Sequence, residues 1–132
     1  MIDANIIFSA FYYPKSRIAL MVNYVRNNHI LVISEYVINE LLDAIEDKNP
    51  DDVSKVEELI YSIADEVFTF DCIDKNKYPY IRDIDDIEVL ANAIESRVDI
   101  LITGDTDFDE VKIDKPRIMK PRQFQDEFME EN

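Results

Sequence analysis

Two spacings of apolar residues alternate along this chain. From Ser16 to Asn28, Ile18, Met21, Val22 and Val25 recur at helical intervals, which predicts a helix. Ile30-Leu31-Val32-Ile33 is a continuous, largely β-branched run and predicts a buried strand. Ser34 is placed to cap a helix running to about Asp47. Asn49-Pro50-Asp51-Asp52 breaks that helix, and Asp51 or Asp52 starts another that extends through about Ala64. Val67 to Phe70 reads as a strand. A polar stretch with Lys75, Lys77, Tyr78, Pro79 and Tyr80 then leads to Asp83-Ile84-Asp85-Asp86, after which Ile87, Leu90, Ala91 and Ile94 form one helical stripe. Ile100 to Ile102 is the strongest strand signal, Arg117 to Met119 a short last strand, and Pro121 opens a terminal helix. At the front, Met1 to Ile7 is expected to be a short strand, followed by a loop through Tyr12-Tyr13-Pro14.

Strands that alternate with helices imply an α/β fold with a mostly parallel sheet and helices on both faces. Ligands in such sheets bind outside the carboxyl ends of the strands. Asp3, near the expected end of the first strand, and Asp105, just past Ile100–Ile102, both fall there. No repeat or linker-like tract divides the 132 residues, so one domain over residues 1–132 is expected.

A hydrophobic content of 47% supplies a core without a covalent staple. The lone Cys72 cannot make an internal disulfide and fits a reducing, cytoplasmic setting, with the thiol read as part of the core near a strand end. No basic leader precedes an apolar stretch, so export is not indicated, and no apolar run approaches the roughly 20 residues that span a bilayer. Charge changes the picture more. Fourteen basic against 29 acidic residues leave a net −15, which opposes general affinity for nucleic acid and favours a basic partner. One basic run stands out: Lys112, Lys115, Arg117, Lys120 and Arg122 lie close together with only Asp114 among them, either as a solvated edge or as a contact for substrate or partner.

The chemistry lies in the acids. Asp3, Glu40, Asp86 and Asp105 each fall where an α/β chain turns toward one edge of its sheet. Each has an ordinary reading as well. Asp3 can cap the turn that follows it, Glu40 can be solvated like Glu35, Asp43 and Glu46, one of Asp83, Asp85 and Asp86 can cap a helix, and Asp105 can form an Asx turn. Glu40 flanks the apolar stripe of Val37, Leu41 and Ala44, and Asp86 shares a face with Leu90 and Ala93, so both can point inward. Gly104, the chain's only glycine, is expected to permit a tight turn before Asp105. If the four acids meet, two carboxylates about 4 Å apart repel by roughly 4 kcal/mol at an effective dielectric near 20. Such a cluster holds protons or binds a hard divalent ion.

The ordered set Asp3-Ala4-Asn5-Ile6-Ile7-Phe8-Ser9, then Ser34 to Glu40-Leu41-Leu42, then Asp83 to Ala93, then Ile102-Thr103-Gly104-Asp105-Thr106-Asp107-Phe108 resembles a PIN domain, and more narrowly the VapC-like toxins of prokaryotic toxin–antitoxin pairs. The likeness runs from residue 1 to about residue 125. It implies a three-layer α/β/α sandwich with a central parallel sheet, and homodimers. It also implies one or two Mg²⁺ or Mn²⁺ ions held by Asp3, Asp86 and Asp105, with Glu40 completing the acidic quartet. Asn5, Thr103 and Asp107 would be auxiliary. The activity implied is endonucleolytic cleavage of RNA, and the partner a protein antitoxin. The family more often carries Thr where this chain has Ala4. His29, at a helix end, reads as a C-terminal cation rather than a ligand. Two rival classes remain: a catalytically silent PIN-like module that binds a protein, and a receiver-like phosphoacceptor. The latter lacks an acidic neighbour for Asp3 and a Lys close after Ile102.

Overall fold

The computed structural model describes residues 1–129. The predicted alternation of strands and helices is present, and every strand pairing is parallel. In chain order the elements are α1 (Ala4–Tyr12), α2 (Arg17–Asn28), β1 (Val32–Ser34), α3 (Glu35–Lys48), α4 (Val53–Ile63), β2 (Glu66–Phe68), α5 (Ile84–Glu95), β3 (Ile100–Ile102), β4 (Arg117–Met119) and α6 (Pro121–Phe128). Short 3₁₀ turns occupy Pro50–Asp52, Lys75–Lys77 and Thr106–Glu110. The pairing resolves into two ladders, β1 with β2 and β3 with β4, and Ile2 adds a single parallel bridge to Ile102. The core runs through both ladders and the helices around them, with Ile2, Leu31, Ile33, Val37, Leu90 and Leu101 all fully buried. This is the expected α/β sandwich. Among the described residues no helix is long and apolar enough to cross a membrane.

The front of the chain differs from the expectation. Met1–Ile7 is not a strand: only Ile2 pairs, and Ala4 already begins α1, which continues through Tyr12 where a loop was expected. Asp3 causes the switch. Its Oδ1 accepts a hydrogen bond from the Ala4 N–H at 2.8 Å, so the acid at the strand end is also the helix cap. A short apolar run such as Ile6-Ile7-Phe8 fits helix or strand equally well by periodicity.

Two strand boundaries shift as well. Ile30 is exposed and lies outside the sheet, and β1 begins at Val32. The Leu31 carbonyl instead accepts the Asp65 and Glu66 N–H groups, and β2 runs over Glu66–Phe68 rather than Val67–Phe70. The helical expectations hold more closely. Ser16 and Ser34 cap α2 and α3 by accepting the Ala19 and Val37 N–H groups at 3.1 Å each. α5 is buried over a wider arc than the predicted stripe, with every residue from Asp86 to Ala93 enclosed. Its end has no glycine: Arg97, just beyond it, adopts the left-handed φ of 62°.

Cys72 is buried beyond β2, where its backbone N–H donates to Glu88 Oε2 at 2.9 Å. Gly104 does not need to be glycine for steric reasons. Its φ is not positive, and a Cβ built there meets nothing within 4 Å.

Candidate acid cleft

Each sequence-predicted acid is delivered by a different element. Asp3 stands between the Ile2–Ile102 bridge and α1, Glu40 lies on α3, Asp86 on the first turn of α5, and Asp105 three residues past β3. All four line one cleft of about 240 Å³, together with Asn5, Phe8, Leu41, Ala44, Asp83 and Asp85. Thr103 lies beneath it and Asp107 beside it.

Hydrogen bonds hold the floor of this cleft. Thr103 Oγ1 donates to Asp3 Oδ2 at 2.8 Å and accepts from the Asp105 N–H at 3.2 Å. Asp105 Oδ1 in turn accepts the Asp107 N–H at 2.8 Å. The Asx turn that is the ordinary reading of Asp105 is therefore real, and it coexists with a place in the cleft. The same is true of Asp3, which caps α1 and is buried at the cleft floor.

Charge is concentrated with little to offset it. Burial, then the nearby Asp105 carboxyl and the charges of Asp83 and Asp3, push the Asp86 carboxyl up to about 8. Burial and the charges of Asp3, Asp85 and Asp83 raise Glu40 to about 7. Asp3 is raised by burial despite its bonds from Thr103 and Ala4. Asp86 Oδ2 is buried and has no hydrogen-bond partner.

One grouping of carboxylate oxygens joins Asp86 and Asp107 to an acid outside the predicted set, Asp83. Single oxygens of Asp83, Asp86 and Asp107 lie within 4.8 Å of one another. Asp83 was read only as a possible cap, and it does cap α5 by accepting the Asp85 N–H at 3.0 Å. The Asp-x-x-Asp spacing was the available signal, because the N-cap and the third residue of the first turn lie on one side of a helix start. Arg82 Nη2 donates to Asp107 Oδ1 at 2.9 Å across the rim.

Other candidates lie elsewhere. His29 ends α2 and its ring packs among Tyr24, Phe124 and Phe128. The basic run is largely neutralised: Lys115 pairs with Asp99, Arg117 with Glu127, Lys120 with Asp109 and Arg122 with Asp126.

An α/β sandwich with an acid cleft at the carboxyl edge of β3 defines a class, and the comparisons agree with it. The family model for the PIN domain matches residues 1–107, and the chain belongs to that family. The fold is similar to a chain in the crystal structure of VapBC2 from Rickettsia felis bound to a DNA fragment from their promoter. The TM-score is 0.72 at 16% identity, over 91% of this chain and 96% of that chain. No curated protein matches the sequence significantly.

Proposed function

We propose that this protein is a Mg²⁺- or Mn²⁺-dependent endoribonuclease and the toxin of a toxin–antitoxin pair. One observation carries the reading: the buried, unpartnered Asp86 Oδ2 in a wall of carboxylates with no cation among the described lining residues, Arg82 reaching only the rim. An oxygen-only donor set suits a hard divalent ion, and the sole histidine lies outside the cleft.

Asp3, Asp86 and Asp105 would hold the ion. Once bound, it supplies Lewis-acid activation of water and charge neutralisation at the phosphodiester. The remaining work belongs to the chain. Thr103 keeps Asp3 oriented and ties it to the Asp105 backbone. Glu40, half-buried in the same cleft, would accept the proton of the attacking water. Asn5, exposed beside Asp3, can hydrogen-bond substrate or water. Attack by water, with no histidine in the cleft to activate a ribose hydroxyl, gives 3′-hydroxyl and 5′-phosphate ends.

The net charge of −15 supports a partner with a cationic segment, as an antitoxin tail would be. A homodimer in the cytoplasm completes this reading. RNA cleavage with Mn²⁺ by wild type and Asp105→Asn tests the assignment. Wild-type cleavage that disappears in the variant supports it. Recovery of 2′,3′-cyclic phosphate products would overturn the mechanism. Absence of any Mn²⁺ binding heat would leave a silent protein-binding module.

A further inference from the structure

The acid cleft does not stop at its carboxylates. α1 and α3 pack side by side, and residues four apart on each face the gap: Ala4, Phe8 and Tyr12 on α1, Glu40, Ala44 and Lys48 on α3. Phe8 and Ala44 line the cleft together with Asp3 and Glu40. Past them, Lys48 Nζ lies 5.7 Å from the centre of the Phe8 ring and 5.3 Å from that of Tyr12. The two ring centres are 4.9 Å apart. Over two helical turns, roughly 12 Å at 1.5 Å per residue, the groove passes from anionic to aromatic and cationic.

Both rings are only partly buried, and the Lys48 ammonium makes no ion pair among the described residues. Lys48 is exposed and can swing off the ring face to admit a planar partner, and a lysine without a carboxylate is open to a phosphate. Arg82, at the rim of the acids, is already committed to Asp107. The Tyr12 hydroxyl donates to Asp52 Oδ2 at 2.9 Å. That bond holds the ring in place and puts a negative charge at the outer limit of the groove.

Resting on the nuclease reading above, we propose that the α1–α3 groove is the subsite for the unpaired nucleotide next to the cut phosphodiester. Its base stacks on the Phe8 ring, with the Tyr12 ring inclined at 48° beside it, and its outer phosphate pairs with Lys48. The groove then selects single strands over duplex and reads no particular base, since every base offers a stacking face.

The test is binding of a fluorescein-labelled single-stranded RNA octamer, followed by anisotropy with Ca²⁺ replacing Mn²⁺. Wild type is compared with Lys48→Gln, Phe8→Leu and Lys55→Gln, the last on a separate cavity among α1, α2 and α4. Lys48→Gln is expected to bind about fivefold more weakly, with a salt slope shallower by about 0.7. Phe8→Leu is expected to bind about tenfold more weakly, with Mn²⁺-dependent cleavage reduced in step. Lys55→Gln should match wild type. Because Lys48 is on the surface, its variant keeps the test valid even if Phe8→Leu folds poorly. Wild-type binding and cleavage by Lys48→Gln, or an equal loss in Lys55→Gln, overturns the subsite while the nuclease reading stands. Wild-type protein that neither binds nor cuts removes both.

Discussion

Thr103 Oγ1 donates to Asp3 Oδ2 at 2.8 Å, joining residues 100 positions apart at the cleft floor. Both side chains are buried, so a lost bond cannot be replaced by water without rearrangement. Thr103→Val keeps the shape and removes the hydroxyl. It is expected to cost about 1–3 kcal/mol in denaturant unfolding, while Thr103→Ser stays near wild type. Equal stability of the valine variant would mean that the bond orders nothing.

The acid cluster should make the ion-free protein less stable as pH rises. Asp86 titrates near 3.8 when unfolded and about 8 when folded, and Glu40 near 4.5 and about 7. Both folded values lie above the unfolded ones. Their stabilising contribution is therefore complete below pH 4 and is lost as pH climbs through 7 to 8. In EDTA the melting temperature is expected to fall steadily from pH 5 to pH 8.5, and Mn²⁺ at pH 8 should restore it. The general surplus of negative charge acts in the same direction, so the discriminating sample is Asp86→Asn, whose melting curve should depend less steeply on pH. An identical slope in the variant would assign the effect to overall charge.

Asp86→Asn has a second consequence. Removing one buried charge from the unoffset cluster should stabilise the ion-free protein at pH 8 by about 1 kcal/mol or more, roughly 3 °C in melting temperature. The same change should abolish stabilisation by Mn²⁺. Thermal melts with and without the ion check both signs together.

Arg82 supplies the guanidinium that contacts Asp107, and a divalent ion near Asp107 would compete with it. Arg82 is mostly exposed, so solvent screens the effect. Arg82→Gln is expected to tighten Mn²⁺ binding by about two- to fivefold in calorimetry. Unchanged or weaker binding would show that the guanidinium does not compete.

Glu88 ties down the segment that leads into α5. Its carboxylate accepts from the Cys72 N–H at 2.9 Å and from Lys75 Nζ at 3.3 Å. Glu88→Ala leaves a buried backbone donor without its partner and is expected to cost about 1–3 kcal/mol. Hydrogen exchange in residues 69–83 should quicken more than elsewhere in the chain.

Long periodic segments were legible in the sequence because their apolar spacing has one solution. α2, α3 and α5 emerge from it nearly whole, and β3 is bounded as expected. Short segments were not legible. Ile6-Ile7-Phe8 carries no period that separates helix from strand, and the cap made by Asp3 decided it. The order of acids along the chain marked Asp3, Glu40, Asp86 and Asp105, which share one cleft. Asp83 was hidden by its own cap, since a carboxylate can hold an N–H with one oxygen and face its neighbours with the other. The pairing of the basic run was not legible from linear proximity. Lys115 and Arg117 find Asp99 and Glu127, acids from other elements that no local window could have matched to them.

Ile102 bonds in two directions: its N–H and carbonyl engage Met1 and Asp3, while the adjoining Thr103 N–H reaches Met119. Asp3 is thus tied directly to the β3 residue Ile102, and Asp105 follows closely on Thr103, which β4 holds. Heating should consequently leave the carboxylates in register until the whole fold gives way, so inactivation and melting would share one midpoint.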